Sequence, residues 1–189
     1  MNNILKFTAA SAAALAISSA SLAVAAPDAS IPEIKQIQDR GVLKVGVKNA
    51  VIGFSVEDPL TGEYKGFEDD LARLIAKDLG VDVEFTAVTA ATRTELIDSG
   101  DLDVVLATFT ISDERKTHWD FTVPYYTDYV SVLVEDKSGI KSLKDIEGKK
   151  VGVSSGSTSA RALVQAMIDN KLIEGKGFDP ATFDPHTWT

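Results

Sequence analysis

Two threonines and an arginine lie close together in the chain and could hold a small zwitterion. Residues 104–107 form an apolar run that predicts a buried strand, and Thr108 and Thr110 alternate directly after it. Ser112 then caps a short helical turn that carries Arg115. Oxygen atoms at the carboxyl end of a strand can accept hydrogen bonds from an ammonium, and the planar guanidinium matches a carboxylate. This chemistry suits a free amino acid, although a strand end with an ordinary surface arginine is the alternative.

The elements around this segment predict an α/β fold. Apolar residues at helical spacing indicate a helix over 67–79, which Gly80 would end. Thr92 and Glu95 have the spacing of a capping box and predict a short helix that ends at 99. Strands are predicted at 41–47, 81–88 and 103–108. Because strands alternate with helices, we expect βαβ units and mainly parallel sheets.

The pattern restarts near residue 128 and predicts a second lobe, with a hinge at about 126–130. Its elements are a strand at 130–134, a capped turn at 142–146, a strand at 148–153 and a helix at 160–168. We therefore divide the chain into a signal peptide, a leader with a short helix at 31–38, lobe 1 and a partial lobe 2. The boundaries are 1–25, 26–40, 41–127 and 128–189.

The first 25 residues have the composition of a secretory signal peptide. Lys6 gives a positive start, residues 7–24 are small and apolar, and residues 23–25 form a small-x-small cleavage site. The chain has no cysteine, so neither disulfides nor a lipid on cysteine are expected. No other run reaches the roughly 20 apolar residues of a membrane span. These features predict export, most simply to a bacterial periplasm.

Charge and residue types exclude several classes of function. The chain has 19 basic and 28 acidic residues, a net charge of -9, which argues against nucleic acid as a partner. An acidic small molecule remains compatible, since charges beyond about 8 Å are screened. His118 and His186 lack a nucleophile at motif spacing and lack metal-site spacing. We predict a protein that is not an enzyme and that uses no cofactor or metal.

Two blocks of sequence resemble a known family. Residues 66–76 (GFEDDLARLIA) resemble its signature helix, except at Asp69, where the family usually has an apolar residue. Residues 110–116, followed by 120–126, form a second and more specific block. On these residues the chain resembles the periplasmic amino-acid-binding proteins of bacterial ABC importers, solute-binding protein family 3. The likeness runs over about 41–167 and implies a two-lobed periplasmic-binding-protein fold with mainly parallel sheets.

The resemblance assigns the α-groups of a bound amino acid to four residues. Arg115 would hold the α-carboxylate. Thr158, at the start of the second-lobe helix, would offer its N–H and hydroxyl to the same group. The Thr110 hydroxyl and the Thr108 carbonyl would accept hydrogen bonds from the α-ammonium. For Arg115 the alternative is a surface ion pair.

Residues 45–49 and 91–93 look most like the members that bind glutamate and aspartate. By that resemblance Lys48 and Arg93 would hold the side-chain carboxylate, and Phe54 would pack against the aliphatic part of the ligand. A solvated lysine and a core phenylalanine are the alternatives for Lys48 and Phe54.

The resemblance implies the ligand-binding component of an ABC importer that is specific for an acidic amino acid. Such a protein would work as a monomer, close its lobes over the ligand and engage membrane permease subunits. An enzyme on the same fold, such as a cyclohexadienyl dehydratase, and a sensor domain are the alternatives. Family members extend well beyond 189 residues, so we expect an incomplete second lobe and weak binding or none.

Overall fold

The computed structural model describes residues 27–28 and 30–173, together with the backbone of His186–Trp188. The proposed signal peptide lies outside these residues. In chain order the elements are α1 (Pro32–Arg40), β1 (Val42–Val47), β2 (Ala50–Val51), β3 (Ser55–Glu57), β4 (Tyr64–Lys65), α2 (Phe67–Leu79), β5 (Asp82–Ala87), α3 (Arg93–Asp98), β6 (Val104–Leu106), β7 (Gly152–Ser154), α4 (Ser159–Asp169) and β8 (His186–Trp188). Two short 3-10 turns lie at Arg115–Thr117 and Leu143–Ile146.

A three-stranded parallel sheet with the order β5-β1-β6 forms the centre of residues 41–127. The central strand β1 pairs on both sides, with Val45 opposite Phe85 and Val104. Helix α2 covers this sheet and ends at Gly80, whose φ of 74° is the left-handed value typical of a helix end. The core consists of Leu43, Val45, Val47, Ala72, Ala76 and Leu106. The predicted α/β fold with parallel strands is confirmed, and α2 has the predicted bounds.

A small antiparallel sheet, β2-β3-β4, connects β1 to α2. Phe54, which directly precedes β3, lies very close to Gly66. A Cβ on Gly66 would be 2.1 Å from the Phe54 carbonyl oxygen. The Glu68 amide donates to the same carbonyl at 3.0 Å. This close approach fixes the start of α2 beside the carboxyl end of β1.

The first turn of α2 contains two adjacent carboxyl groups, Glu68 and Asp69, that are both fully buried. The Ser55 hydroxyl lies 2.7 Å from Asp69 Oδ1 and also contacts the Lys48 carbonyl. Burial raises the pKa of Asp69, because desolvation disfavours the ionised form. The departure from the family pattern at Asp69 is therefore accommodated by a polar partner, Ser55.

The predicted capping box of α3 is wrong. Thr92 precedes the helix with φ −91° and ψ −19° and makes no capping hydrogen bond with its side chain. An N-cap residue normally needs an extended backbone to bring its oxygen over the first turn. The Thr92 hydroxyl instead accepts from the Thr89 amide at 3.1 Å, so it closes the loop that precedes the helix.

Residues 128–173 contain less regular structure. The predicted turn at 142–146 forms, with a capping box between Ser142 and Asp145, and α4 follows β7. The predicted strand at 130–134 does not form, and the Leu133 side chain is 99% exposed. Residues 130–134 and 149–154 line a common groove of about 480 Å³, and no strand of the described residues pairs with 130–134. The division into two lobes stays a prediction.

Candidate functional site

Three loops that follow parallel strands meet at the carboxyl edge of the β5-β1-β6 sheet. Lys48 directly follows β1, Arg93 begins α3 after the loop that follows β5, and Thr108 lies two residues beyond β6. In open α/β sheets this edge is where ligands bind. The topology therefore brings together side chains that are distant from one another in the chain.

Arg93 is almost completely buried, with 2% of its surface exposed. Its Nη1 donates to the carbonyl oxygens of Ala107 at 2.7 Å and Thr108 at 3.3 Å. Burial, together with the positive charge of Arg115, lowers the pKa of Arg93 to about 10, so it remains a cation at neutral pH. Its Nε is buried and has no hydrogen-bond partner among the described residues. Arg93 thus ties down the loop after β6 and keeps an unused donor.

Arg115 begins the short helical turn that the sequence predicted. Its backbone amide donates to the Ser112 hydroxyl at 3.3 Å, and its Nη1 donates to the Thr110 carbonyl at 2.8 Å. The guanidinium is half-buried, and this burial lowers the pKa of Arg115. The turn therefore folds Arg115 back over the segment that contains Thr108 and Thr110.

Phe109 supports both guanidinium groups, and the sequence reasoning missed it. The central carbon of Arg93 lies 4.1 Å from the ring centroid, and that of Arg115 lies 4.4 Å from it. Such cation–π contacts attract a guanidinium to the ring face. The ring packs in turn against Trp119 and Phe121, at centroid distances of 5.8 Å and 5.4 Å. The only sequence signal was an aromatic residue between two threonines.

Lys48 adds a third positive charge at this edge. Burial lowers the pKa of Lys48, the charge of Arg93 lowers it further, and the Glu68 carboxylate opposes both effects. Within the described part of the chain, the Lys48 amine makes no hydrogen bond or ion pair. An anion bound here would relieve the repulsion between the two cations.

The loop before α4 reaches the same site through a backbone carbonyl. Gly156 accepts hydrogen bonds from Nη2 of Arg115 at 2.9 Å and from Nη2 of Arg93 at 3.4 Å. Gly156 has φ 73°, and a Cβ there would lie 2.4 Å from the Ala90 carbonyl oxygen. Glycine is therefore required for this close approach. The carbonyl oxygen of Gly156 occupies the kind of position between two guanidinium groups that suits a carboxylate oxygen.

Five of the seven predicted site residues lie at this edge: Lys48, Arg93, Thr108, Thr110 and Arg115. Thr158 lies two residues beyond Gly156 as the N-cap of α4, without a capping bond from its side chain. Phe54 packs its ring edge-on against Tyr126, at a centroid distance of 4.9 Å. The roles of all seven toward a ligand stay predictions.

Among residues 27–28 and 30–173 there is no group of three or more His, Cys, Asp or Glu side chains that could hold a metal ion. His118 packs beside Trp119, with ring centroids 5.4 Å apart. None of the helices in the described residues is long and apolar enough to cross a membrane.

Known proteins are similar to this chain in sequence. The glutamine-binding protein GlnH of a Bacillus subtilis ABC transporter is 35% identical over 149 residues, which are 77% of this chain and 55% of that protein. The L-glutamate/L-aspartate-binding protein of Pseudomonas aeruginosa is 29% identical over 146 residues, 74% of this chain and 48% of that protein. The chain therefore spans about half the length of the curated relatives that it matches.

A solved structure of an amino-acid-binding protein is also similar to this chain. The crystal structure of an ancestral amino-acid-binding protein, described as a precursor of cyclohexadienyl dehydratase, matches with a TM-score of 0.62 and 37% identity. The match covers 72% of this chain and 60% of that one. The family model described as "Bacterial extracellular solute-binding proteins, family 3" matches residues 43–176, well over half of the sequence. The chain belongs to the family 3 bacterial extracellular solute-binding proteins.

Proposed function

We propose that this chain binds a free amino acid at the carboxyl edge of the β5-β1-β6 sheet, as part of the periplasmic binding component of an ABC importer. The observation that carries the proposal is the convergence of Lys48, Arg93 and Arg115 at this edge, where the two arginines contact the carbonyl oxygens of Thr108 and Thr110. Cations suit the carboxylate of an amino acid, and the Thr108 carbonyl and the Thr110 hydroxyl suit its ammonium. Relatives named as binding proteins of amino-acid transporters support a role in uptake.

We propose further that the preferred ligand is acidic, glutamate or aspartate. Arg115 is the proposed partner of the α-carboxylate. Lys48 and Arg93 share one carboxylate, that of Glu68, which leaves one positive charge to be matched by a second anion. A neutral ligand would leave this excess positive charge desolvated and unmatched, and an unpaired buried charge is costly. A cationic ligand such as arginine would add repulsion at the same place.

Glutamine is the second candidate, because one relative that is 35% identical is named a glutamine-binding protein. Its amide oxygen could accept a hydrogen bond from Lys48, but it would carry no charge. The two candidates therefore differ at Lys48 and share Arg115.

An enzyme of the same fold is the remaining alternative, since one structural relative is described as a precursor of a dehydratase. Glu68 is the only buried carboxyl group described that reaches the site loop, and two donors already hold it, the Thr108 amide and the Tyr125 hydroxyl. Its Oε2 has no hydrogen-bond partner among the described residues, but the carboxyl group is fully buried and fixed at Oε1, so it is poorly placed to exchange protons with a ligand.

Isothermal titration with glutamate, aspartate, glutamine and arginine tests the proposal. We expect an acidic amino acid to bind about tenfold or more tightly than glutamine, the difference expected from one charge-assisted hydrogen bond. Lys48→Met should remove most of this preference, whereas Arg115→Ala should weaken every ligand.

Lys77→Met is the matched control, because Lys77 is exposed in the last turn of α2, away from the site. Equal or tighter binding of glutamine would reject the acidic ligand and leave amino-acid binding standing. If the chain bound none of the four ligands, the result would contradict its proposed function.

A further inference from the structure

We propose that Glu68 is a positioning residue of the ammonium site, because its carboxylate holds the Thr108 peptide in a left-handed conformation. Glu68 lies in the signature helix α2. None of the residues proposed to contact the ligand lies in this helix. The conformational part of the inference stands on geometry alone, and only the effect on affinity rests on the proposed function.

Thr108 has an unusual backbone. Its φ is 48°, and among the described residues only Thr108 and Lys171 are non-glycine residues with positive φ. This left-handed region is sterically unfavourable for a β-branched residue, so it persists only where neighbouring groups enforce it. Arg93 contacts the carbonyl of Thr108 at 3.3 Å, so the conformation sets the direction of a carbonyl at the centre of the site.

Glu68 supplies the group that enforces this conformation. Its Oε1 accepts the Thr108 amide at 2.7 Å and the Tyr125 hydroxyl at 2.8 Å. A hydrogen bond to an ionised acceptor is roughly twice as strong as a neutral one. Two donors from different parts of the chain therefore converge on one oxygen and fix both the carboxylate and the Thr108 amide.

The groups around Glu68 are hydrogen-bond donors and cations. Burial, and then the negative charge of Glu68, raise the pKa of Tyr125, so the phenol stays protonated and donates. The negative charge of Glu68 opposes the lowering by burial of the pKa of Arg93 and of Lys48. These cations offset the cost of a fully buried carboxylate whose second oxygen has no hydrogen-bond partner among the described residues.

The adjacent residue provides an internal comparison. Asp69 is buried to the same extent as Glu68, but its described hydrogen bond is with Ser55 and not with the loop after β6. If buried charge in α2 mattered only for folding, both carboxyl groups would be equivalent. The geometry predicts that only Glu68 controls Thr108.

The experiment measures the hydrogen exchange of the Thr108 amide by NMR and, in parallel, the affinity for glutamate. We expect Glu68→Ala to speed exchange of this amide by about tenfold or more, as loss of a hydrogen bond to a charged group implies. Glu68→Gln keeps an acceptor oxygen and should keep most of the protection. Asp69→Ala is the matched control for Glu68→Ala and should leave Thr108 unchanged.

A second arm separates positioning from general destabilisation. Glycine adopts the left-handed region without strain, so Thr108→Gly should reduce the loss of glutamate affinity that Glu68→Ala causes. If Glu68→Ala does not fold, Glu68→Asp serves instead, because it keeps the charge and withdraws the carboxylate by one methylene.

Three outcomes would overturn the inference. The first is unchanged Thr108 exchange in Glu68→Ala, and the second is the same acceleration in Asp69→Ala. The third is a loss of glutamate affinity from Glu68→Ala that is equally large with and without the Thr108→Gly substitution. The exchange measurement needs no ligand. A chain that binds no glutamate would therefore refute the proposed function without deciding the role of Glu68.

Discussion

Residues 41–127 and residues 128–173 bury very different amounts of apolar surface. Of the eleven buried hydrophobic side chains described, nine lie in 41–127, and only Ile146 and Leu163 lie in 128–173. In the second region Tyr129 and Leu133 are largely exposed. Apolar burial is the dominant favourable term in folding. Among the described residues, most of the hydrophobic stabilisation therefore comes from the first region.

The candidate site follows the same division. Lys48, Arg93 and Arg115 all lie in the first region, on loops that a parallel sheet supports. The second region contributes to these cations the Gly156 carbonyl, which accepts from both arginines, and the positive charge of Arg161, which adds to the effect of burial in lowering the pKa of Arg115. The comparison suggests that charge recognition is built on the well-packed region, and that the second region only completes the site.

The largest expected effect tests this difference in packing. Leu43→Ala removes a side chain from the core of the parallel sheet and should lower the free energy of unfolding by about 2–5 kcal/mol. Leu163→Ala, in α4, should cost less than about 2 kcal/mol, because few buried neighbours surround it. Urea denaturation followed by circular dichroism measures both. Equal losses would show that the two regions share one cooperative core.

The elements of the first region could be predicted because local signals and burial agree there. The apolar spacing in 67–79 and the following Gly80 defined α2, and the apolar run of β1 defined the central strand. At 130–134 the same kind of apolar run produced a wrong prediction. A strand needs a partner, and the sequence of the run alone contains no information about that partner.

The cationic residues of the site could be predicted from the sequence, but the residues that hold them in place could not. Arg115 stood out because it follows a strand end within a specific block of sequence, and Arg93 because residues 91–93 resemble the members that bind glutamate and aspartate. In the sequence Phe109 looks like an ordinary core residue and Glu68 like an ordinary polar helix residue. Their importance arises from tertiary contacts, such as the 2.7 Å bond between Glu68 and Thr108, 40 positions apart. Thr92 was misjudged because its backbone conformation, which the sequence does not fix, decides whether it can cap.

A smaller effect is expected where the two regions touch. Gly156→Ala adds a Cβ that would lie 2.4 Å from the Ala90 carbonyl oxygen, so the loop must move away from the arginines. Gly148→Ala is the matched control, because Gly148 has a similar φ of 71° but no atom within 4 Å of an added Cβ. We expect Gly156→Ala to cost about 1–3 kcal/mol more than the control, the scale of two lost hydrogen bonds.

Hydrogen–deuterium exchange locates this change. Peptides that cover 88–93 and 154–160 should exchange faster in Gly156→Ala than in Gly148→Ala, while peptides from β1 should be unaffected. If both variants behave alike, the contact between Gly156 and the arginines contributes nothing measurable, and the first region holds its cations without help.

The smallest effect concerns an ion pair between the regions. Arg161 in α4 pairs with Glu114, next to Arg115, and both side chains are substantially exposed. Exposed ion pairs contribute only about 0.2–1 kcal/mol, because water and salt screen them. A double-mutant cycle with Arg161→Ala and Glu114→Ala should therefore give a coupling energy in that range, which should shrink as salt is raised from about 0.05 M to about 0.5 M. A coupling above about 2 kcal/mol that is insensitive to salt would mean that this contact is effectively buried, and that the second region is fixed to the site more firmly than its sparse packing implies.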